Sequence, residues 1–128
     1  MNLSAYNRFC ASRPRTEKVV QWGGAHVWKV GGKVFAIGGI EAGSLHVSFK
    51  VSPMSFDILK EQEGLRPAPY LASRGMKWIQ RMNDAGMDDA TFRTYLRESH
   101  RLVALGLTKK ARKALGLADE MDRPGRRA

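Results

Sequence analysis

One cysteine, three histidines and no long apolar run are what this chain has least of, and each shortage closes off a class of function. Cys10 alone cannot close an internal disulfide and supplies no cysteine framework for a metal; a single thiol suits a reducing compartment, so the expected location is the cytoplasm. The opening Met1-Asn2-Leu3-Ser4-Ala5-Tyr6-Asn7-Arg8 has neither the basic flank nor the apolar run of a secretory leader. No stretch approaches the roughly 20 apolar residues of a membrane helix, so no membrane partner is expected. His26, His46 and His100 stand in unlike contexts with no carboxylate or thiol at ligand spacing, and neither a metal centre nor a cofactor is expected. Gly31-Gly32-Lys33 lacks the full pattern of a phosphate-cradling loop and leads into a strand where such a loop leads into a helix.

Acidic residues are also scarce. Twelve Asp and Glu face 22 Lys and Arg, for a formal net charge of +10. The resulting pI of about 10.3 creates a field that attracts phosphates, anionic lipid heads or an acidic protein. At 128 residues the chain has the length of one domain and can bury roughly two-thirds of its unfolded surface, enough for a core without staples.

Turn and periodicity signals divide the chain. Ser4 is expected to cap a short helix over 5–12 that ends before Pro14, with Tyr6, Phe9 and Cys10 inward. Strands are expected at 18–22, 25–30, 33–38 and 44–51, joined by Gly23-Gly24, Gly31-Gly32 and a loop over 38–43, an antiparallel meander. The pair Gly31-Gly32 reads as a two-residue hairpin turn, because both residues reach positive φ without steric cost. In the fourth strand Leu45, Val47, Phe49 and Val51 alternate with His46, Ser48 and Lys50, one dry face and one wet.

Ser52-Pro53 is a cap followed by proline at the first helical position, so a helix follows over 53–62 with Phe56 and Leu59 inward, stopped by Gly64. Residues 65–75 read as a loop by their prolines, and 76–82 as a strand centred on Trp78. The longest helix begins at Asp88 or Asp89 and runs to about 105, its apolar stripe formed by Phe92, Tyr95, Leu96, Ser99, Leu102 and Val103 and flanked by Arg93, Arg97 and Arg101. Thr108 caps a last helix over 109–115. The domain therefore spans 1–117, and the charged stretch 118–128 reads as a flexible tail.

No constellation of catalytic residues is evident, and the chain is expected not to be an enzyme. An anion-binding enzyme would need a pocket lined by His46 or His100 together with an acid. Basic residues interleaved with aromatics stand out at two places: Trp28, Lys29, Lys33 and Phe35, and Arg74, Lys77, Trp78 and Arg81. Cations at hairpin tips neutralise phosphates, and an exposed aromatic stacks on a base or sugar; the same aromatics serve equally as core of a small sheet.

The segments 27–36 (VWKVGGKVFA), 47–51 (VSFKV), 67–71 (PAPYL) with Lys77-Trp78-Ile79, and Ser99-His100-Arg101-Leu102-Val103 together resemble the MmcQ/YjbR family of small bacterial proteins. The resemblance covers about residues 17–117 and departs at His100, where the family usually has tyrosine. It implies a frataxin-like (CyaY-like) α+β fold, one antiparallel β-sheet with helices packed on one face, in a double-wing DNA-binding arrangement without enzyme activity. Frataxins carry an acidic ridge on the first helix; residues 5–13 here contain no acid, and iron binding is not expected. DNA is the expected partner, with Lys29, Lys33, Lys50, Arg74, Lys77 and Arg81 on the sheet and Lys109, Lys110, Arg112 and Lys113 at the last helix contacting phosphates. The alternative is an adaptor that presents the same basic face to an acidic protein, and the oligomeric state is left open.

Overall fold

Gly31 and Gly32, with φ of +57° and +80°, make the two-residue turn that their sequence requires, and the sheet is built outward from that hairpin. The computed structural model describes residues 1–117; the tail at 118–128 lies outside the described residues. Strands β1 (Thr16–Gln21), β2 (Ala25–Val30), β3 (Lys33–Glu41) and β4 (Ser44–Lys50) form a meander, and β5 (Leu65–Pro67) and β6 (Trp78–Arg81) extend it. All six lie in one antiparallel sheet of order β1-β2-β3-β4-β6-β5. The helices are α1 (Leu3–Ala11), α2 (Pro53–Leu59), α3 (Asp89–Leu105) and α4 (Lys109–Ala114). Between β5 and β6 lies one 3-10 turn, Ala72–Arg74. The result is a single α+β domain with helices packed on the sheet.

Register separates the two faces of the sheet. Ala36 pairs with Phe49, which pairs with Ile79, while Gly38 pairs with Val47, which pairs with Arg81. These positions, with Trp28 and Val30, point into the core against Tyr6, Phe92, Leu96 and Val103. Ile37, Ser48 and Gln80 alternate with them and lie on the face away from the helices.

Several boundaries differ from the sequence reading, each for a local reason. The cap of α1 is Asn2, whose Oδ1 accepts from Ala5 N at 2.8 Å, and Ser4 lies inside the helix. β3 continues through Gly38 and Gly39 to Glu41, and the turn falls at Ala42 and Gly43, both at positive φ. The glycine at 38 serves packing: a Cβ there would lie 2.5 Å from the buried ring of Tyr6, which donates its hydroxyl to His26 O. β1 stops before Trp22, whose φ of +53° leaves the strand conformation. Helix α2 ends at Leu59. The expected loop over 65–75 begins as a three-residue edge strand, a position where Pro67 breaks no interior ladder.

On α3 the inward residues are Phe92, Leu96, Ser99, His100, Val103 and Ala104. His100 is turned in where Leu102 was expected: its ring meets Phe35 edge-on at 5.1 Å, and its Nε2 donates to Pro14 O at 2.9 Å. β2 and β3 slip by one residue, since Trp28 pairs with Ala36 but Lys29 with Val34, which leaves Phe35 as a bulge. Ser99 closes that gap, donating its hydroxyl to Phe35 O at 2.6 Å and accepting from Lys50 N at 2.8 Å.

Candidate nucleic-acid interface

Antiparallel register gathers the scattered lysines at one end of the sheet. β1 begins, β2 ends, β3 begins, β4 ends and β6 begins at that end, through the pairs Thr16 with Val30, Val30 with Lys33 and Lys50 with Trp78. Lys33, Lys50 and Lys77 therefore share it. Helix α4 joins them, because Gly31 approaches Leu107 and Leu115 so closely that a Cβ would lie 2.6 Å from Leu107 Cδ1. Arg15 adds a further tie by donating Nε to Leu115 O at 2.8 Å. The exposed Lys109, Lys110 and Lys113 on α4 thus stand beside Lys33. The opposite end, with the turns after β3 and β6, carries Glu41, Glu63, Asp84, Asp88 and Asp89. Charge is polarised along the strands.

The two wings of the sequence reading are one continuous basic end. Lys33, Arg74 and Lys77 are exposed, while Lys29 and Lys50 are half-buried, Lys29 opposite Glu17. Lys77 lies with Nζ 4.9 Å from the Phe56 ring centroid, which steadies it at the rim. Two of the expected contacts do not belong to this surface. Arg81 is only 5% exposed because it shares the core face with Ile79; it stacks 4.4 Å over Phe92 and donates to Met87 O and Asp89 Oδ1. Arg112 is 8% exposed, on the inward side of α4. The aromatics between the lysines are structural: Phe35, Trp28 and Trp78 are buried, and Trp28 Nε1 donates to Asn7 Oδ1 at 2.9 Å.

Of the α3 arginines, Arg101 is bound through two nitrogens to Glu98 and Arg97 lies over Phe9 at 5.3 Å. Arg15 joins the cationic end although nothing in its sequence context marks it, while the exposed Arg66 lies on the edge strand β5 opposite Gln80.

Asp89 anchors the acidic end. Burial pushes its carboxyl up, but hydrogen bonds from the Met1 amino group and from Arg81 outweigh that and hold it below the ordinary value. Asp88, the cap of α3, is lowered chiefly by the hydrogen bond from Thr91 N. Both carboxyls bind protons more weakly in the folded chain than in the unfolded one. Their contribution is complete above the ordinary aspartate pKa of about 4 and is lost as pH falls through the lower native values. Melting temperature is therefore expected to fall as pH drops below about 4, and Asp89→Asn to flatten that fall in pH-resolved melts.

The face away from the helices holds a groove of about 740 Å³ between the 22–24 turn and Pro69, Tyr70 and Leu71, floored by Ile37, Ser48 and Gln80. His46 lines its end, and His46 Nδ1 lies 2.7 Å from Glu41 Oε2. A histidine and an acid thus meet in a pocket, the condition set for an anion-binding enzyme. Among the described residues no hydrogen bond joins the Ser48 hydroxyl to His46. Among the described residues no three His, Cys, Asp or Glu side chains cluster as metal ligands, and no helix is long and apolar enough to cross a membrane.

A six-stranded antiparallel sheet with helices packed on it and a lysine-rich end define a small basic α+β domain. The chain belongs to the YjbR family, whose model matches residues 11–102. It is similar to the crystal structure of the Deinococcus radiodurans protein DR2400, a DUF419 domain: TM-score 0.79, 25% identity, 97% of this chain and 93% of that one covered. A Pseudomonas syringae protein shares the fold at TM-score 0.64 and 17% identity, over 80% of this chain and 98% of that one. No functionally curated protein matches the chain.

Proposed function

We propose that the protein is a non-enzymatic DNA-binding module that grips the phosphate backbone through the basic end of its sheet. The observation that carries this reading is the convergence of Lys33 of β3, Lys50 of β4 and Lys77, just before β6, with Lys109, Lys110 and Lys113 of α4. Six ammonium groups on one end, with Glu41, Glu63, Asp84, Asp88 and Asp89 at the other, orient the molecule toward a polyanion. Lysines on strand ends contact phosphates and carry no base information, so the binding is expected to be indifferent to sequence. Titration of a labelled duplex beside a labelled acidic peptide of similar charge tests it. Preference for the duplex supports the DNA reading; equal or stronger retention of the peptide replaces it with an adaptor for an acidic protein.

A further inference from the structure

The groove on the open sheet face is built for a ligand that the basic end does not explain. Its volume of about 740 Å³ falls within the range of small-molecule sites. On its floor Ser48 and Gln80 are only 6% and 9% exposed. Gln80 Oε1 accepts from Arg66 Nε at 2.8 Å, but the Gln80 amide nitrogen and the Ser48 hydroxyl have no hydrogen-bond partner among the described residues. Neither polar atom is sealed from solvent, so both stand open on the groove floor to a partner from outside, and a ligand that covered them without pairing them would leave them unsatisfied.

The walls add a second observation. Trp22 is 65% exposed and Tyr70 84%, although each is among the largest apolar surfaces the chain could bury. Both also hold left-handed backbone, φ +53° and +68°, where a bulky residue is strained and glycine is not. Two strained, outward-facing rings line the same groove, and strain of this kind collects at functional sites.

We propose that this groove binds a mononucleotide. Exposed aromatic faces select a flat ring, while the Ser48 hydroxyl and Gln80 amide select one with heteroatoms on its edge. Lys50 and Arg66 do not line the groove themselves, but Lys50, two residues from Ser48 on the same face of β4, and Arg66, hydrogen-bonded to Gln80, stand next to its floor residues as cations for an attached phosphate. A purely apolar ligand would leave Ser48 and Gln80 unsatisfied. The base lies against Trp22 and Tyr70, its edge meets Ser48 and Gln80, and its phosphate meets Lys50 and Arg66. Lys33, Lys77 and the lysines of α4 take no part, and Lys50 is the one residue the groove shares with the duplex interface.

Calorimetric titration of the full chain with AMP, GMP, CMP and UMP separately, and with inorganic phosphate, tests this. Expected is saturable one-to-one binding of at least one nucleotide, well above phosphate. Trp22→Gly is expected to weaken it roughly tenfold or more, the loss of one stacking partner, while melting temperature holds or rises as the left-handed strain is relieved. Ser48→Ala weakens binding at unchanged fold, and Lys33→Gln with Lys77→Gln leaves nucleotide affinity unchanged. The proposal is overturned by no saturable binding of any of the four, by phosphate binding as tightly, by full affinity in Trp22→Gly, or by binding of oligothymidylate alone.

Discussion

Replacing Lys33 and Lys77 together by glutamine is expected to lower affinity for duplex DNA by about 10²-fold at 50 mM salt and by about tenfold at 200 mM. The size follows from counterion release. Each neutralised phosphate steepens the dependence of log affinity on log salt by about 0.9, so one contact is worth a factor of about 15 at 50 mM relative to 1 M, and two multiply. Both side chains are exposed, and neither is bound to an acid, so the double variant keeps its fold and the change reads out the interface. Anisotropy titrations of the variant should show a slope shallower by about 2. Unchanged affinity with unchanged slope removes these lysines from the surface.

Ser99→Ala is expected to cost about 3 kcal/mol of stability and roughly 10 °C in melting temperature, read by circular dichroism. The serine is fully buried and its hydroxyl serves two backbone groups that the Phe35 bulge leaves without ladder partners, Phe35 C=O and Lys50 N–H. Alanine fits the space but leaves both groups dry and unpaired, each at roughly 1–3 kcal/mol. A loss below about 1 kcal/mol would mean that water enters to replace the hydroxyl. Ser99 opens a motif by which the chain resembles its family, and the structure gives that serine a task in the sheet. Its link to Lys50 also fixes the strand from which one of the lysines of the basic end projects.

Much of the fold was legible because its signals are local. Gly31-Gly32 names its own turn, the period of Phe92, Leu96, Ser99 and Val103 names the inner face of α3, and Ser52-Pro53 names the start of α2. What escaped depends on partners distant in sequence. Leu65–Pro67 is a strand only because β6 pairs with it, and Gly38 belongs inside a strand only because Tyr6 covers it.

Arg81 was legible in principle. Strict alternation puts it on the face of Ile79, which is buried, and that pattern outweighs its charge as a guide. The convergence of Lys33, Lys50 and Lys77 follows from the pairing of three strands, which spacing along the chain does not encode. The left-handed backbones of Trp22 and Tyr70 were invisible, since neither residue type announces positive φ as glycine or asparagine does. The groove they line accordingly had no signature beyond the wet face of β4, where His46, Ser48 and Lys50 were already aligned.

The most direct test of the basic end as a duplex-binding surface is the salt dependence of binding by the unaltered protein, measured by fluorescence anisotropy of a labelled duplex between 50 and 200 mM salt. Six lysines neutralising six phosphates predict a log–log slope of about −5 and a loss of affinity of about 10³-fold across that range. A slope near zero, or no binding at 50 mM, would contradict the account.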